Sequence, residues 1–350
     1  MPSPRSAIET LLPYVCARDL YKEADVFLDA NENAFGSAVS IGDAIINRYP
    51  DSDCTALRSA IAGYCGADAR KVIAGNGSDE VISMAVMAFV DAGDNIVTVQ
   101  PDYSMYGVCG RIAGASERQV PLTQDFGLDV PEILEATDGR TKIIFISSPN
   151  AGSGAAIEED AIRQLLKEFD GLVFVDEAYY EFCGKTLVSS ICEYDNLLVS
   201  RTLSKAWGLA GLRVGYAISS QPVIAAMRKV KPPYSIGTLN QGLATRAILT
   251  GRGKMGDDVK RILAEKERLA EGLAGFGLEI LPGVANFVVA RFPAPYDSKK
   301  VQSSLAQKRI IVRDRSSLPL LENCIRFTVG TPAENDAMLA ALAEVLVNGT

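Results

Sequence analysis

The sequence predicts an α/β protein: a large domain on a mostly parallel, doubly wound sheet, followed by a small α+β domain. Two observations carry that expectation. Between residues 55 and 220, short apolar runs rich in Val and Ile alternate with amphipathic helical stretches. Beyond residue 275 the order changes to a strand-like run, a helix, two more strand-like runs and a last helix.

Residues 1–30 read as an N-terminal arm with one short helix, 31–245 as the large domain and 246–350 as the small one. The strands expected in the large domain lie at 71–74, 95–99, 142–146, 171–175, 197–200 and 214–218. The apolar run from Val81 to Val90 is too short for a membrane span and reads as a buried helix. Residues 238–275 read as helix broken near Gly251-Arg252-Gly253, a connector between domains. The small domain then shows a strand at 286–291, a helix at 298–307 and strands at 310–313 and 324–329. Its last helix starts at Thr331-Pro332-Ala333-Glu334, with Thr at the N-cap, Pro at the first helical position and Glu two residues further on. Met338, Leu339, Leu342, Val345 and Leu346 give that helix an apolar face.

Composition excludes several classes of function. The net charge of −8 and the absence of a Lys/Arg cluster argue against a nucleic-acid partner. No apolar run is long enough for a membrane helix, and the first residues lack a secretory pattern, so the expected location is the cytoplasm. The 7 cysteines are odd in number and none has CxxC spacing, which points to reduced thiols rather than disulfides or zinc. With 0 histidines, Ser-His and Cys-His catalysis and histidine-based metal sites are excluded. Acid–base chemistry near neutral pH falls to carboxylates, Tyr, Cys or a tuned Lys.

Three motifs sit at the ends of expected strands, where ligands of doubly wound sheets collect. Gly75-Asn76-Gly77-Ser78-Asp79-Glu80 joins a strand to a helix; glycine allows close backbone approach, and free N–H groups at a helix start suit phosphate. Val173-Phe174-Val175-Asp176 is an apolar strand ending in a carboxylate, with Tyr179 following. A carboxylate there suits the protonated nitrogen of a pyridine ring. Ser200-Arg201-Thr202-Leu203-Ser204-Lys205, followed by Gly208, Gly211 and Arg213, combines a Schiff-base-competent lysine with hydroxyls and an arginine fitted to a phosphate dianion.

Further stretches join these: DANENAFG (29–36), RYPD (48–51), GNGSDEVI (75–82), PDYSMY (101–106), VDEAYYEF (175–182), RTLSKAWGLAGLRVGY (201–216), KPPYS (231–235), ANFV (285–288), IIVRDRS (310–316) and IRFTVGT (325–331). From about residue 29 onward the sequence resembles the fold-type-I pyridoxal-phosphate aminotransferases, most closely the histidinol-phosphate aminotransferases. The resemblance implies pyridoxal 5'-phosphate as cofactor and an aspartate-aminotransferase-type fold. It makes Lys205 the residue that carries the cofactor as a Schiff base and then shuttles the substrate's proton. Asp176 would pair with the pyridinium nitrogen, Tyr179 with the ring hydroxyl oxygen, and Tyr103 would stack on the ring. The backbone of Gly77, Ser78 and Asp79, with Thr202, Ser204 and Arg213, would hold the phosphate. Asn150 would also contact the cofactor, and Arg326 and Asn33 the substrate, Arg326 through its carboxylate. Tyr49 would reach the phosphate in the partner subunit, which implies a homodimer with shared active sites.

One stretch departs from the family. Where the family has Asn-Pro-Asn-Asn-Pro-Thr-Gly, this chain has Ser148-Pro149-Asn150-Ala151-Gly152-Ser153-Gly154, so Ala151 replaces a cofactor-contacting asparagine. The expected activity is transamination between histidinol phosphate and 2-oxoglutarate, or a related amino-acid transamination in histidine or amino-acid biosynthesis. Two alternatives remain open: a decarboxylase resembling the threonine-phosphate decarboxylases, and a binding or regulatory protein that keeps the fold without turnover.

Overall fold

The computed structural model describes residues 25–28 and 50–347. The helix expected in the N-terminal arm falls outside them. The arm's described part is a strand, β1 (Val26–Phe27), which pairs in parallel with Ile310 and Ile311.

The large sheet is built from β2 (Val72–Asn76), β3 (Asn95–Gln100), β4 (Ser116–Pro121), β5 (Thr141–Ser147), β6 (Leu172–Asp176), β7 (Leu197–Thr202) and β8 (Val214–Ser219). Their order across the sheet is β2-β8-β7-β6-β5-β3-β4. Neighbouring pairs from β7 to β4 are parallel, and β8 alone runs against both its neighbours. The six expected strands are all present. β4 is the one the sequence reading leaves out. It lies at the sheet edge and reads S-E-R-Q-V-P, with only Val120 buried, so it shows neither an apolar run nor a clean alternation. Pro121 is tolerated at its end.

Apolar residues on both faces of the central strands bury against helices, as a doubly wound sheet requires. On one face pack α1 (Thr55–Cys65) and the segments that lead to the C-terminal part; on the other pack α2 (Ser78–Phe89), α3 (Met105–Ile112) and the later helix Gln221–Val230. α2 contains the apolar run read from the sequence, with Val81, Ile82, Met84, Ala85 and Val86 buried.

The expected long helical stretch is two helices, Thr238–Thr250 and Arg252–Ala274, separated at Gly251. Beyond it lie β9 (Glu279–Ile280), β10 (Phe287–Arg291), β11 (Ile310–Ile311), β12 (Arg313–Asp314) and β13 (Cys324–Thr328). β12, β13, β10 and β9 form an antiparallel sheet in that order. The single strand expected at 310–313 is therefore two, because its first residues bond to the N-terminal arm and its last to β13. The helix Ser298–Gln307 falls where expected. In the last helix, Pro332–Val347, the capping box forms: Glu334 Oε2 accepts from Thr331 N (2.7 Å), and Glu334 N donates to Thr331 Oγ1 (3.3 Å). Among the described residues no helix is long and apolar enough to cross a membrane.

Candidate active site

β3, β5, β6 and β7 run parallel, so their carboxyl ends share one edge of the sheet. The three sequence motifs meet there around one cavity.

Its polar end begins where β2 stops. Gly77, at φ 80°, turns the chain into α2. A Cβ on Gly77 would lie 2.3 Å from Nη2 of Arg213, and one on Gly215 would lie 2.2 Å from the backbone N of Ser78. Glycine at both positions lets the α2 N-terminus, β8 and the Arg213 guanidinium converge. Arg213 has a φ of 51°, a left-handed conformation that costs a non-glycine residue roughly 1 kcal/mol and that clusters at functional sites. Its Nη1 donates to Ser204 Oγ (3.4 Å), and its Nη2 lies 3.0 Å from Asp79 Oδ2. Thr202 Oγ1 donates to Ser204 Oγ (2.9 Å) and accepts from Ser204 N (3.1 Å). Helix terminus, hydroxyls and guanidinium together form an anion cradle. The Asp79 carboxylate at its rim also accepts from Tyr103 OH (2.9 Å).

Asp176, the last residue of β6, forms the cavity's floor and is buried. Ser147 on β5 and Ser200 on β7 are its register partners. Ser200 Oγ donates to its Oδ1 (2.9 Å), Ala178 N to the same oxygen (3.1 Å) and Tyr106 OH to its Oδ2 (3.0 Å). Among the described residues no lysine or arginine forms an ion pair with it. Burial pushes its carboxyl up to about 6, against the pull of those hydrogen bonds.

Lys205 lines the cavity with its Nζ 5.8 Å from the centre of the Tyr179 ring. Tyr179 is buried and meets Phe287 edge-on at 5.6 Å. Tyr103 forms another wall and meets Tyr106 edge-on at 5.7 Å. Arg326, on β13, donates from Nη1 to the Ala151 carbonyl (3.2 Å) and lies over the Phe287 ring. Ala151 lines the cavity, but Asn150 does not. The Asn150 amide is committed to its own loop: Nδ2 donates to Pro101 O (2.9 Å), and Oδ1 accepts from Gly152 N (3.0 Å), Ser153 N (2.8 Å) and Ser153 Oγ (3.0 Å). Tyr49 and Asn33 lie outside the described residues.

The sequence reading misses Tyr106 and Ser200, the hydroxyls that hold Asp176. Ser200 could have been found from strand period, since it precedes Thr202 by two residues on the same face of β7. Tyr106 gives no comparable signal.

The model of the aminotransferase class I and II family matches residues 30–342. The chain belongs to this family. Curated relatives of this aminotransferase include the histidinol-phosphate aminotransferase of Flavobacterium johnsoniae, 38% identical over 97% of this chain and 96% of the relative. The enzyme of the same name from Cytophaga hutchinsonii is 41% identical over 97% of each chain. Among solved structures, histidinol-phosphate aminotransferase from Sinorhizobium meliloti, in complex with pyridoxal-5'-phosphate, superposes with a TM-score of 0.88 at 24% identity, covering 98% of this chain and 97% of that one. Aspartate aminotransferase from Thermus thermophilus with maleate gives a TM-score of 0.82 at 20% identity, covering 98% of each chain. The aspartate-aminotransferase-type fold expected from the sequence is thus the fold of this aminotransferase.

Proposed function

We propose that this aminotransferase exchanges the amino group of histidinol phosphate with 2-oxoglutarate, giving imidazole acetol phosphate and L-glutamate. The observation that carries the substrate assignment is the 38% and 41% identity to histidinol-phosphate aminotransferases along nearly the whole chain. The cofactor is pyridoxal 5'-phosphate. The cavity fits it at both ends: Asp176, a buried carboxyl with no cation among the described residues, suits a ring nitrogen, and the cradle whose Arg213 a Cβ on Gly77 would displace suits a phosphate.

When bound, the cofactor supplies a conjugated pyridinium that withdraws the electron pair left by the substrate's Cα proton. Each residue of the chain has a part in that chemistry. Ser78 and Asp79 through their N–H groups, and Thr202, Ser204 and Arg213 through their side chains, hold the phosphate. Asp176 would keep the ring nitrogen protonated, and its three hydrogen-bond donors keep the carboxylate oriented. Tyr179 would donate to the ring oxygen, and Tyr103 would form the wall beside the ring. Lys205 would anchor the cofactor and would take and return the proton at the substrate's Cα. Arg326 binds the carboxylate of glutamate or 2-oxoglutarate as a bidentate pair. Tyr49 would serve the phosphate of a second subunit, and the working unit would then be a homodimer in the cytoplasm.

The test is a panel of amino donors and keto acids with purified protein, together with borohydride treatment and a peptide map. Amino transfer from histidinol phosphate and a reduced cofactor adduct on Lys205 are expected. Carbon dioxide release in place of amino transfer would favour a decarboxylase, and an adduct on another lysine would overturn the Lys205 assignment.

A further inference from the structure

Between β3 and α3 lies a second buried carboxylate, Asp102, 3% exposed. Its Oδ1 accepts from Ser147 Oγ and from Tyr103 N (2.8 Å), and its Oδ2 accepts from Ser147 N (3.0 Å). Ser147 closes β5, and its Oγ in turn accepts from Ala151 N (2.7 Å). The Ala151 carbonyl accepts from Arg326 Nη1 (3.2 Å). Hydrogen bonds thus tie Asp102 to Ser147 and Ser147 to the Ala151 N–H, while the carbonyl of the same residue, in the next peptide group, holds the Arg326 guanidinium, so the backbone of Ala151 joins the two ends. A further hydrogen bond ties Asp102 to the backbone of Tyr103 on another cavity wall.

The chemistry of the node requires a carboxylate. Two N–H groups and one hydroxyl all point at it, and an acceptor-only side chain satisfies all three. An asparagine would turn an NH₂ toward one of these donors. Among the described residues Asp102 has no ion pair; a buried carboxyl in that setting is costly, and burial raises Asp102 to about 7. Packing alone gives no reason to keep one; precise placement of a binding group does.

We propose that Asp102 is a positioning residue for substrate-carboxylate recognition, acting through Ser147 and Ala151 to fix the guanidinium of Arg326. The assignment rests on the reading of Arg326 as the carboxylate-binding residue. Glutamate and 2-oxoglutarate depend on that contact, whereas histidinol phosphate has no carboxylate.

The experiment uses the cofactor-loaded enzyme with Asp102→Asn, Ser147→Ala and Arg326→Lys variants. Maleate affinity is measured by calorimetry, and KM and kcat are measured for glutamate and histidinol phosphate. Asp102→Asn is expected to weaken maleate and raise the glutamate KM by about tenfold, the scale of one hydrogen bond to a charged group. Its kcat and its histidinol-phosphate KM are expected to stay within about twofold, with the cofactor's absorption unchanged. Ser147→Ala is expected to act in the same direction, and it decides the matter if Asp102→Asn does not fold. If Arg326→Lys weakens maleate while the Asp102 and Ser147 variants do not, or if those variants affect both substrates equally, the Asp102 assignment is overturned. If Arg326→Lys leaves maleate binding intact, the carboxylate reading of Arg326 fails, and this assignment with it.

Discussion

Asp176 and Glu177 are adjacent in the chain and both are buried, yet they face opposite sides of the sheet and live in opposite electrostatic settings. Asp176, the last residue of β6, lines the cavity, while Glu177, one residue beyond the strand, turns away from it toward Arg201. Behind, the chain supplies the countercharge. Arg201 Nη2 lies 2.8 Å from Glu177 Oε2 and donates to Thr186 Oγ1 (2.6 Å), and its guanidinium sits 3.5 Å from the centre of the Tyr180 ring. Thr186 Oγ1 and Leu187 N also donate to Glu177. Glu181 accepts from Trp207 Nε1 (2.9 Å) in the same region. Burial raises Glu177, and Arg201 pulls it back. In front, Asp176 has hydrogen-bond donors and, among the described residues, no cation. The contrast teaches what marks a functional carboxylate here: a buried charge whose partner the ligand must bring.

The largest effect that would break this comparison is catalytic. Asp176→Asn is expected to lower turnover at saturating cofactor by at least roughly a thousandfold, about 4 kcal/mol of transition-state stabilisation. Melting of the cofactor-free protein near neutral pH should not fall, since the substitution removes a buried charge that costs stability there and keeps the shape. Near-normal turnover would show that the electron-withdrawing ring does not depend on this carboxylate.

Next in size is a loss of stability with the chemistry retained. Glu177→Gln leaves Arg201 buried without its full partner and is expected to destabilise the fold by about 3–5 kcal/mol, read from denaturant unfolding. Its kcat should stay within a few-fold of wild type. The double variant Glu177→Gln/Arg201→Met should recover much of the loss, because both charges are gone. A Glu177 variant that unfolds normally but no longer turns over would reverse the assignment of front and back.

Much of this was legible in the sequence, and the rest was not, for identifiable reasons. Asp176, Thr202 and Lys205 stand at or just beyond the ends of apolar β runs, where a parallel sheet exposes its ligand edge, so pattern alone locates them. Tyr106 is hidden from such reasoning: its bond to Asp176 spans a separation of 70 residues and depends on how α3 packs on the sheet. The same holds for Arg326 and Ala151, 175 residues apart. Which of Asn150 and Ala151 faces the cavity is decided by a turn in which Asn150 accepts from two following backbone N–H groups. β4 escapes because an edge strand keeps charged residues instead of an apolar run.

The smallest effect sharpens the comparison through pH. Burial raises the Asp176 carboxyl from 3.8 to about 6. A carboxyl with a folded pKa above its unfolded one binds more protons in the folded state across that window, so stability falls as pH rises. For the cofactor-free protein, this contribution is complete below about pH 4, is lost as pH climbs through about 6, and is level above that. Asp102, raised by burial to about 7, adds a loss of the same sign that extends slightly higher. The two separate when cofactor binds. On the proposed reading of Asp176, a protonated ring nitrogen would give it a counter-charge and lower its pKa, whereas Asp102 would keep the same hydrogen-bond donors. Denaturant midpoints between about pH 4 and 8 should therefore fall more steeply without cofactor than with it, by roughly 2–3 kcal/mol over the window. Asp176→Asn should remove the same part of the slope with no cofactor present, and Glu177→Gln should not. Equal slopes for the cofactor-free wild type and Asp176→Asn would mean that Asp176 titrates as an ordinary carboxyl. The front of the strand would then differ from the back in geometry alone.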